Sequence, residues 1–110
     1  MLKNKKIATC KGNTHKIKVP KGTLFVTINK NKDKYSQIFI NVSQTGSYLV
    51  PICEALGRII SLSLRKGATL KDVIKQLEGI KDTEPIWYEG NQILSIPDGI
   101  AHVLKEELNL

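Results

Sequence analysis

Two strand-like segments followed by a long apolar helix limit what this chain can fold into. Residues 22–29 and 37–42 alternate apolar and polar side chains with a period of two, which is typical of half-buried strands. The polar residues 30–34 between them predict a hairpin loop, so the strands should pair antiparallel. After a Thr-Gly-Ser turn at residues 45–47, apolar residues recur at helical spacing almost to Gly67. This order predicts an α+β fold with helices packed on an antiparallel sheet.

The remaining segments complete the expected fold. Residues 15–19 alternate and predict a short edge strand, while residues 83–94 predict a loop or a short hairpin. A second helix should begin at Thr69, which stands in a capping arrangement with Asp72, and a third should begin at Ser95. We therefore expect a two- to three-stranded antiparallel sheet followed by three helices that form a single layer on the sheet.

Helical spacing also predicts which residues of the first helix face the core. These are Leu49, Ile52, Cys53, Leu56, Ile59, Ile60 and Leu64. A cysteine in that register is a buried thiol rather than a nucleophile, because a reactive thiolate needs an exposed, electropositive setting.

Charge is concentrated at the amino-terminal end of the chain. The 110 residues fit one domain, and we assign residues 15–110 to it. Residues 1–14 are predicted to be a flexible basic arm or a loosely paired edge. Residues 1–37 hold ten lysines and a single acid, and the whole chain carries a formal charge of +7. Such a basic end favours an anionic partner such as nucleic acid, although solvated surface lysines would give the same pattern.

Several classes of protein are disfavoured by what the sequence lacks. No apolar run approaches the roughly 20 residues of a membrane span, so we expect no membrane partner. With Cys10 and Cys53 as the two cysteines, no disulfide framework is indicated, and a cytoplasmic location is expected. The cysteines and histidines are too scattered for a metal site. Phosphate-loop and nucleophile-elbow motifs are missing as well, so we predict a non-enzymatic protein without a cofactor.

Binding of an anion is the chemistry that the sequence favours. Gly46 and Ser47 precede the long helix, where free N–H groups and the positive end of the helix dipole meet. Further along the helix, Arg58 follows Gly57, and a guanidinium can donate two parallel hydrogen bonds to a phosphate. Two plainer interpretations remain open: the Gly-Ser turn is a helix cap, and Arg58 pairs with Glu54 one turn earlier.

A second group of candidate residues lies in the loop before the last helix. Trp87 and Tyr88 are followed by Gly90 and Asn91, so a purine could stack on the indole while Asn91 reads its edge. The alternative is that the Trp87 ring covers the edge of the core. Together with Gly46, Ser47 and Arg58, these residues form the predicted ligand-binding site.

Four blocks of the chain, taken in order, resemble a known family. Residues 22–29, 45–47, 54–61 and 94–101 are similar to the TSCPD domain. That domain occurs near the carboxyl terminus of adenosylcobalamin-dependent ribonucleotide reductases and in small free-standing proteins. The family's name motif has a cysteine where this chain has Ile96. The radical chemistry of the reductases lies in a separate barrel, so the resemblance implies an accessory module.

From these features we expect a small module that binds a nucleotide or a nucleotide-derived signalling molecule without altering it. One specific hypothesis is a phage-type decoy that sequesters a cyclic-nucleotide immune signal. The alternatives are nucleic-acid binding through the basic arm and a protein-docking accessory domain related to ribonucleotide reductase. The sequence leaves a homo-oligomer open, in which a second subunit would complete the site.

Overall fold

The protein folds as an α+β domain in the computed structural model, which describes residues 10–43 and 48–110. In chain order the elements are β1 (Lys11–Val19), β2 (Gly22–Asn31), β3 (Lys34–Ser43), α1 (Leu49–Arg65), α2 (Leu70–Leu77), β4 (Ile86–Tyr88), β5 (Asn91–Ile93) and α3 (Ile96–Glu107). The predicted fold class, a small antiparallel sheet followed by three helices, is confirmed. None of the helices in the described part of the chain has both the length and the apolar run that crossing a bilayer requires.

The main sheet has the order β1-β2-β3, and both strand pairs are antiparallel. Tight turns join the strands, and Lys21 and Lys32 adopt the left-handed conformation in them, with φ of 68° and 54°. β1 begins at Lys11, where it pairs with Lys30. Residues 11–14, for which a flexible basic arm or a loosely paired edge was predicted, therefore belong to the sheet as its edge. The first nine residues of the predicted arm lie outside the described residues.

One face of the sheet supplies the centre of the core. The alternating residues Leu24, Val26 and Ile28 of β2 are almost inaccessible to solvent, as are Ile38 and Ile40 of β3. The apolar side chains of the alternation predicted for both strands thus face the core. α3 packs on the same side, where it buries Ile100, Ala101, Val103 and Leu104.

Capping residues define the starts of the second and third helices as the sequence predicted. The Thr69 hydroxyl accepts a hydrogen bond from the Asp72 N–H, and the Asp72 carboxylate accepts one from the Thr69 N–H. Ser95 caps α3 by accepting a hydrogen bond from the Asp98 N–H at 3.1 Å. The loop predicted over residues 83–94 contains the β4–β5 hairpin, with Glu89 and Gly90 at its turn.

Helix α1 lies along β3, and its inner face matches the predicted one at Cys53, Ile60 and Leu64. Its buried residues are Cys53, Gly57, Ile60, Ser61 and Leu64. Ile52 and Ile59, which the helical spacing placed in the core, are each more than half exposed. The reason is the close approach of the helix to the strand: a Cβ on Gly57 would lie 3.1 Å from the Ile38 carbonyl oxygen. Small residues permit that approach, and the larger isoleucines face outward.

Candidate functional site

Arg58 lies on the exposed side of α1 and is paired with a carboxylate. Its Nη2 atom donates a hydrogen bond to Glu54 Oε2 at 2.6 Å, and its side chain is 80% exposed. This is the i, i+4 pair that the sequence left open as the plainer interpretation. Exposed pairs of this kind contribute about 0–1 kcal/mol to stability, so the guanidinium can exchange partners at small cost.

Arg58 borders a groove between α1 and the outer face of β3, which we call the α1–β3 groove. Its volume is about 450 Å³. The polar and aromatic residues that line it are Gln37, Phe39 and Asn41 from β3, and Glu54, Arg58 and Arg65 from α1. Because strand side chains alternate, the three β3 residues share the face opposite the core.

Arg65 is the second guanidinium of the α1–β3 groove. It follows Arg58 by seven residues, two helical turns, so both side chains leave the same side of α1. Its Nη1 atom lies 3.5 Å from the Ser36 carbonyl oxygen. Arg65 and Phe39 were not among the site residues predicted from the sequence. Two signals in the sequence could have identified them. Arg65 follows Arg58 by seven residues, and Phe39 alternates with the inward-facing residues of β3.

The Trp87–Asn91 segment lies elsewhere on the molecule. It forms the β4–β5 hairpin, which packs near β1, whereas α1 packs against β3 at the other side of the sheet. Tyr88 and Asn91 line a separate depression of about 590 Å³ together with His15, Lys16, His102 and Lys105. The structure therefore does not bring Arg58 and the hairpin into one pocket of a single chain.

The hairpin side chains differ in their accessibility. The Trp87 side chain is 72% exposed, so it does not cover the core, while Tyr88 packs partly against it. Asn91 Nδ2 donates a hydrogen bond to the Glu89 carbonyl oxygen at 3.4 Å, which stabilises the turn. The remaining two predicted site residues, Gly46 and Ser47, lie outside the described residues.

Cys53 is buried, and the described part of the chain shows no cluster of metal-binding side chains. Cys53 is 1% exposed, and burial raises the pKa of its thiol, as its predicted core position implies. Within residues 10–43 and 48–110, no three histidine, cysteine or acidic side chains cluster in a way that could hold a metal ion.

Comparison with protein families adds one finding. The family model described as the TSCPD domain matches residues 3–108. The chain belongs to the TSCPD domain family. Comparisons with curated proteins and with solved structures gave no match. The match spans the whole described fold, from β1 to the end of α3, and so includes both the α1–β3 groove and the hairpin.

One block through which the chain resembles the TSCPD domain serves the fold itself. In residues 94–101, the buried Asp98 carboxylate accepts hydrogen bonds from the Gly79 and Leu94 N–H groups, each at 2.9 Å. Gly99 is packed so closely that a Cβ there would lie 2.7 Å from Val19 Cγ1. This block therefore joins α2, β5, α3 and β1, and its polar residues are engaged in structure.

Proposed function

We propose that this TSCPD domain binds a phosphate-bearing ligand of the nucleotide class in the α1–β3 groove and releases it unchanged. The observation that carries the proposal is the pair of guanidiniums, Arg58 and Arg65, on the same wall of one groove. Two helical turns separate them by about 10 Å along the axis, so they can contact two different parts of an elongated anion. Arginine suits phosphate because its planar fork donates paired hydrogen bonds.

The opposite wall of the groove offers groups for a base. Phe39 is 51% exposed on the outer face of β3, and stacking of a base on such a ring is worth about 1–3 kcal/mol. Gln37 and Asn41 flank it on the same face, and their side-chain amides can donate and accept hydrogen bonds at a base edge. A volume of about 450 Å³ falls in the range of small-molecule sites.

Binding without conversion is supported by the chemistry of the groove lining. Among the described residues that line it, Glu54 carries the carboxylate, and Arg58 is bonded to it. Ser61, the hydroxyl in the groove, already exchanges hydrogen bonds with the main chain of Ile38. Hydrolysis would require a base that activates water or an activated side-chain nucleophile, whereas Glu54 and Ser61 are already engaged in these bonds.

A protein that binds a nucleotide and leaves it intact lowers the free concentration of that nucleotide. We therefore propose that the domain acts in the cytoplasm as a sequestering module for a nucleotide-derived signal. A phage-type decoy for a cyclic-nucleotide immune signal is the specific form of this hypothesis. A groove that holds two guanidiniums, Arg58 and Arg65, is compatible with that role.

The proposal is tested by thermal shift and calorimetry with a panel of mono-, di- and cyclic nucleotides. A ligand at a hundredfold excess over its Kd should stabilise the protein by about 2.7 kcal/mol. Arg58→Ala and Arg65→Ala should each weaken binding at least about tenfold, because each removes charge-assisted hydrogen bonds. Lys75→Ala is the matched control, since it removes an exposed cation from α2. Chromatography should recover the nucleotide unchanged; a conversion product, or no shift with any member of the panel, would refute the proposal.

A second candidate function, nucleic-acid binding, is favoured by a lysine cluster at one end of the sheet. Lys11 pairs in register with Lys30, Lys32 lies in the adjacent turn, and Lys34 follows that turn as the first residue of β3. The Lys30 ammonium also lies 4.8 Å from the centre of the Tyr35 ring. Binding through this cluster would weaken steeply with salt and would survive Arg58→Ala, so a salt titration with oligonucleotides separates the two functions.

A further inference from the structure

Helix α1 carries a second apolar face, on the side opposite its buried one. Tyr48 and the helix residues Ile52, Ile59 and Leu62 are 79%, 57%, 62% and 49% exposed, and the exposed Ala55 lies between them. Their spacing of four, three, four and three residues places them in one stripe along the helix, which we call the α1 stripe. That alternation is the pattern of a helix seam that packs against another helix.

The α1 stripe groups four large apolar side chains that are exposed to water. Isolated apolar side chains are common on monomers, but a contiguous patch of several hundred Å² usually marks an interaction site. The helix has 17 residues and is about 25 Å long. A symmetric pair buries the stripe on both copies, and the flanking residues must add to it, because stable complexes bury roughly 1,200 Å² or more in total.

The charges beside the stripe indicate which partner fits it. Glu54 and Arg58 flank the stripe, and their midpoint, residue 56, nearly coincides with the midpoint of Ile52 and Ile59. A two-fold axis at this point would place Glu54 of each helix opposite Arg58 of the other. A parallel pairing would instead place like charges side by side, which is unfavourable. The flank is thus complementary to itself in the antiparallel arrangement.

From the stripe and its charged flank, we infer that α1 is a homodimer interface. A second copy of the chain packs its α1 antiparallel on the first, with Ile52 of one helix near Ile59 of the other. The opposite side of α1 covers the edge of β3, so the two sheets lie on the outer sides of a central helix pair. This inference goes beyond the proposed ligand and does not depend on it.

The mass in solution tests the inference directly. The wild-type chain should sediment at twice its 12.3 kDa, and dilution should dissociate it. Ile59→Lys, at the centre of the stripe, should raise the dimer Kd at least about thirtyfold, as expected of a central interface residue. Ile80→Lys is the matched control, because Ile80 is also an exposed isoleucine but lies beyond the end of α2. A wild-type monomer at all concentrations, or equal effects of the two variants, would overturn the inference.

Reversing the charge of Glu54 or Arg58 tests whether the partner is a second, antiparallel copy of α1. Glu54→Arg alone and Arg58→Glu alone each place like charges across the axis, so each should dimerise more weakly than the wild type. When the two variants are mixed, opposite charges face each other again, and a heterodimer should form. The antiparallel direction is checked by oxidation of an Ile52→Cys chain mixed with an Ile59→Cys chain, which should crosslink to each other more readily than either does to itself. A mixture that stays monomeric would contradict the proposed arrangement.

Discussion

At the residue scale, the Glu107 carboxylate joins the end of α3 to the sheet. Its oxygens lie 2.9 Å from His15 Nε2 and 3.1 Å from the Tyr35 hydroxyl, which donates to them, and Asn13 Nδ2 donates a further hydrogen bond at 3.3 Å. Burial by itself raises the pKa of Glu107, but the hydrogen bonds from His15, Asn13 and Tyr35 outweigh it and hold that pKa below its ordinary value. The folded protein therefore favours the ionised carboxylate.

This lowered pKa predicts a pH dependence of stability. A carboxylate whose pKa is depressed by folding contributes stability above its unfolded pKa, about 4.3 for glutamate, and that contribution is lost as the pH falls through the folded pKa. In urea unfolding from pH 3 to pH 6, wild type should gain free energy of unfolding relative to Glu107→Gln as the pH rises. Glu106→Gln, an exposed neighbour, is the control and should show little of this gain. A difference between wild type and Glu107→Gln that is constant with pH would contradict the argument.

At the scale of elements, local signals predicted the helix and strand types but only part of the inner face of α1, because Ile52 and Ile59 were wrongly placed in the core. Capping residues and apolar spacing suffice to predict where α2 and α3 begin and which side of each faces the core, because each carries one apolar stripe. α1 carries apolar residues around most of its circumference, so its period indicates a helix without a unique inner face. The side that packs on β3 is the one with small residues, Gly57 and Ser61. This side faces the strand because only small residues allow the helix to pack so closely on β3. The need for small residues depends on the contact between helix and strand, so it cannot be read from the helix sequence alone.

The contact between α1 and β3 leads to a prediction for Ser61. β3 is an edge strand, and the Ser61 hydroxyl accepts a hydrogen bond from the Ile38 N–H at 2.9 Å and donates one to the Ile38 carbonyl oxygen at 3.2 Å. Ser61→Ala should lower the free energy of unfolding by about 1–3 kcal/mol, because these buried main-chain groups lose their partner. Ser63→Ala is the matched control: that hydroxyl donates to Ile59 within the same helix, and its loss should change stability little. Equal effects in chemical unfolding would mean that Ser61 does not hold the helix on the strand.

At the scale of the whole molecule, strand order decides which candidate residues share a pocket. Arg58 was identified from the sequence as a phosphate-binding candidate, and it does border a groove. The hairpin with Trp87 was grouped with it because both looked suited to a nucleotide. The order β1-β2-β3 places α1 beside β3 and the hairpin near β1, with β2 between them. The relative positions of α1 and the hairpin are set by packing of the whole core. They therefore cannot be predicted from the local spacing of residues.

This separation predicts that the two regions act independently on nucleotide binding. Arg58→Ala should weaken binding at least about tenfold, whereas Trp87→Ala, a change at an exposed ring, should alter the Kd by less than about twofold because it lies outside the groove. The double variant should then match Arg58→Ala in calorimetry. A loss from Trp87→Ala as large as that from Arg58→Ala, with a strongly non-additive double variant, would mean that one ligand contacts both regions. In a chain that keeps them at different sides of its sheet, that result would require the hairpin of a second copy to reach the groove of the first.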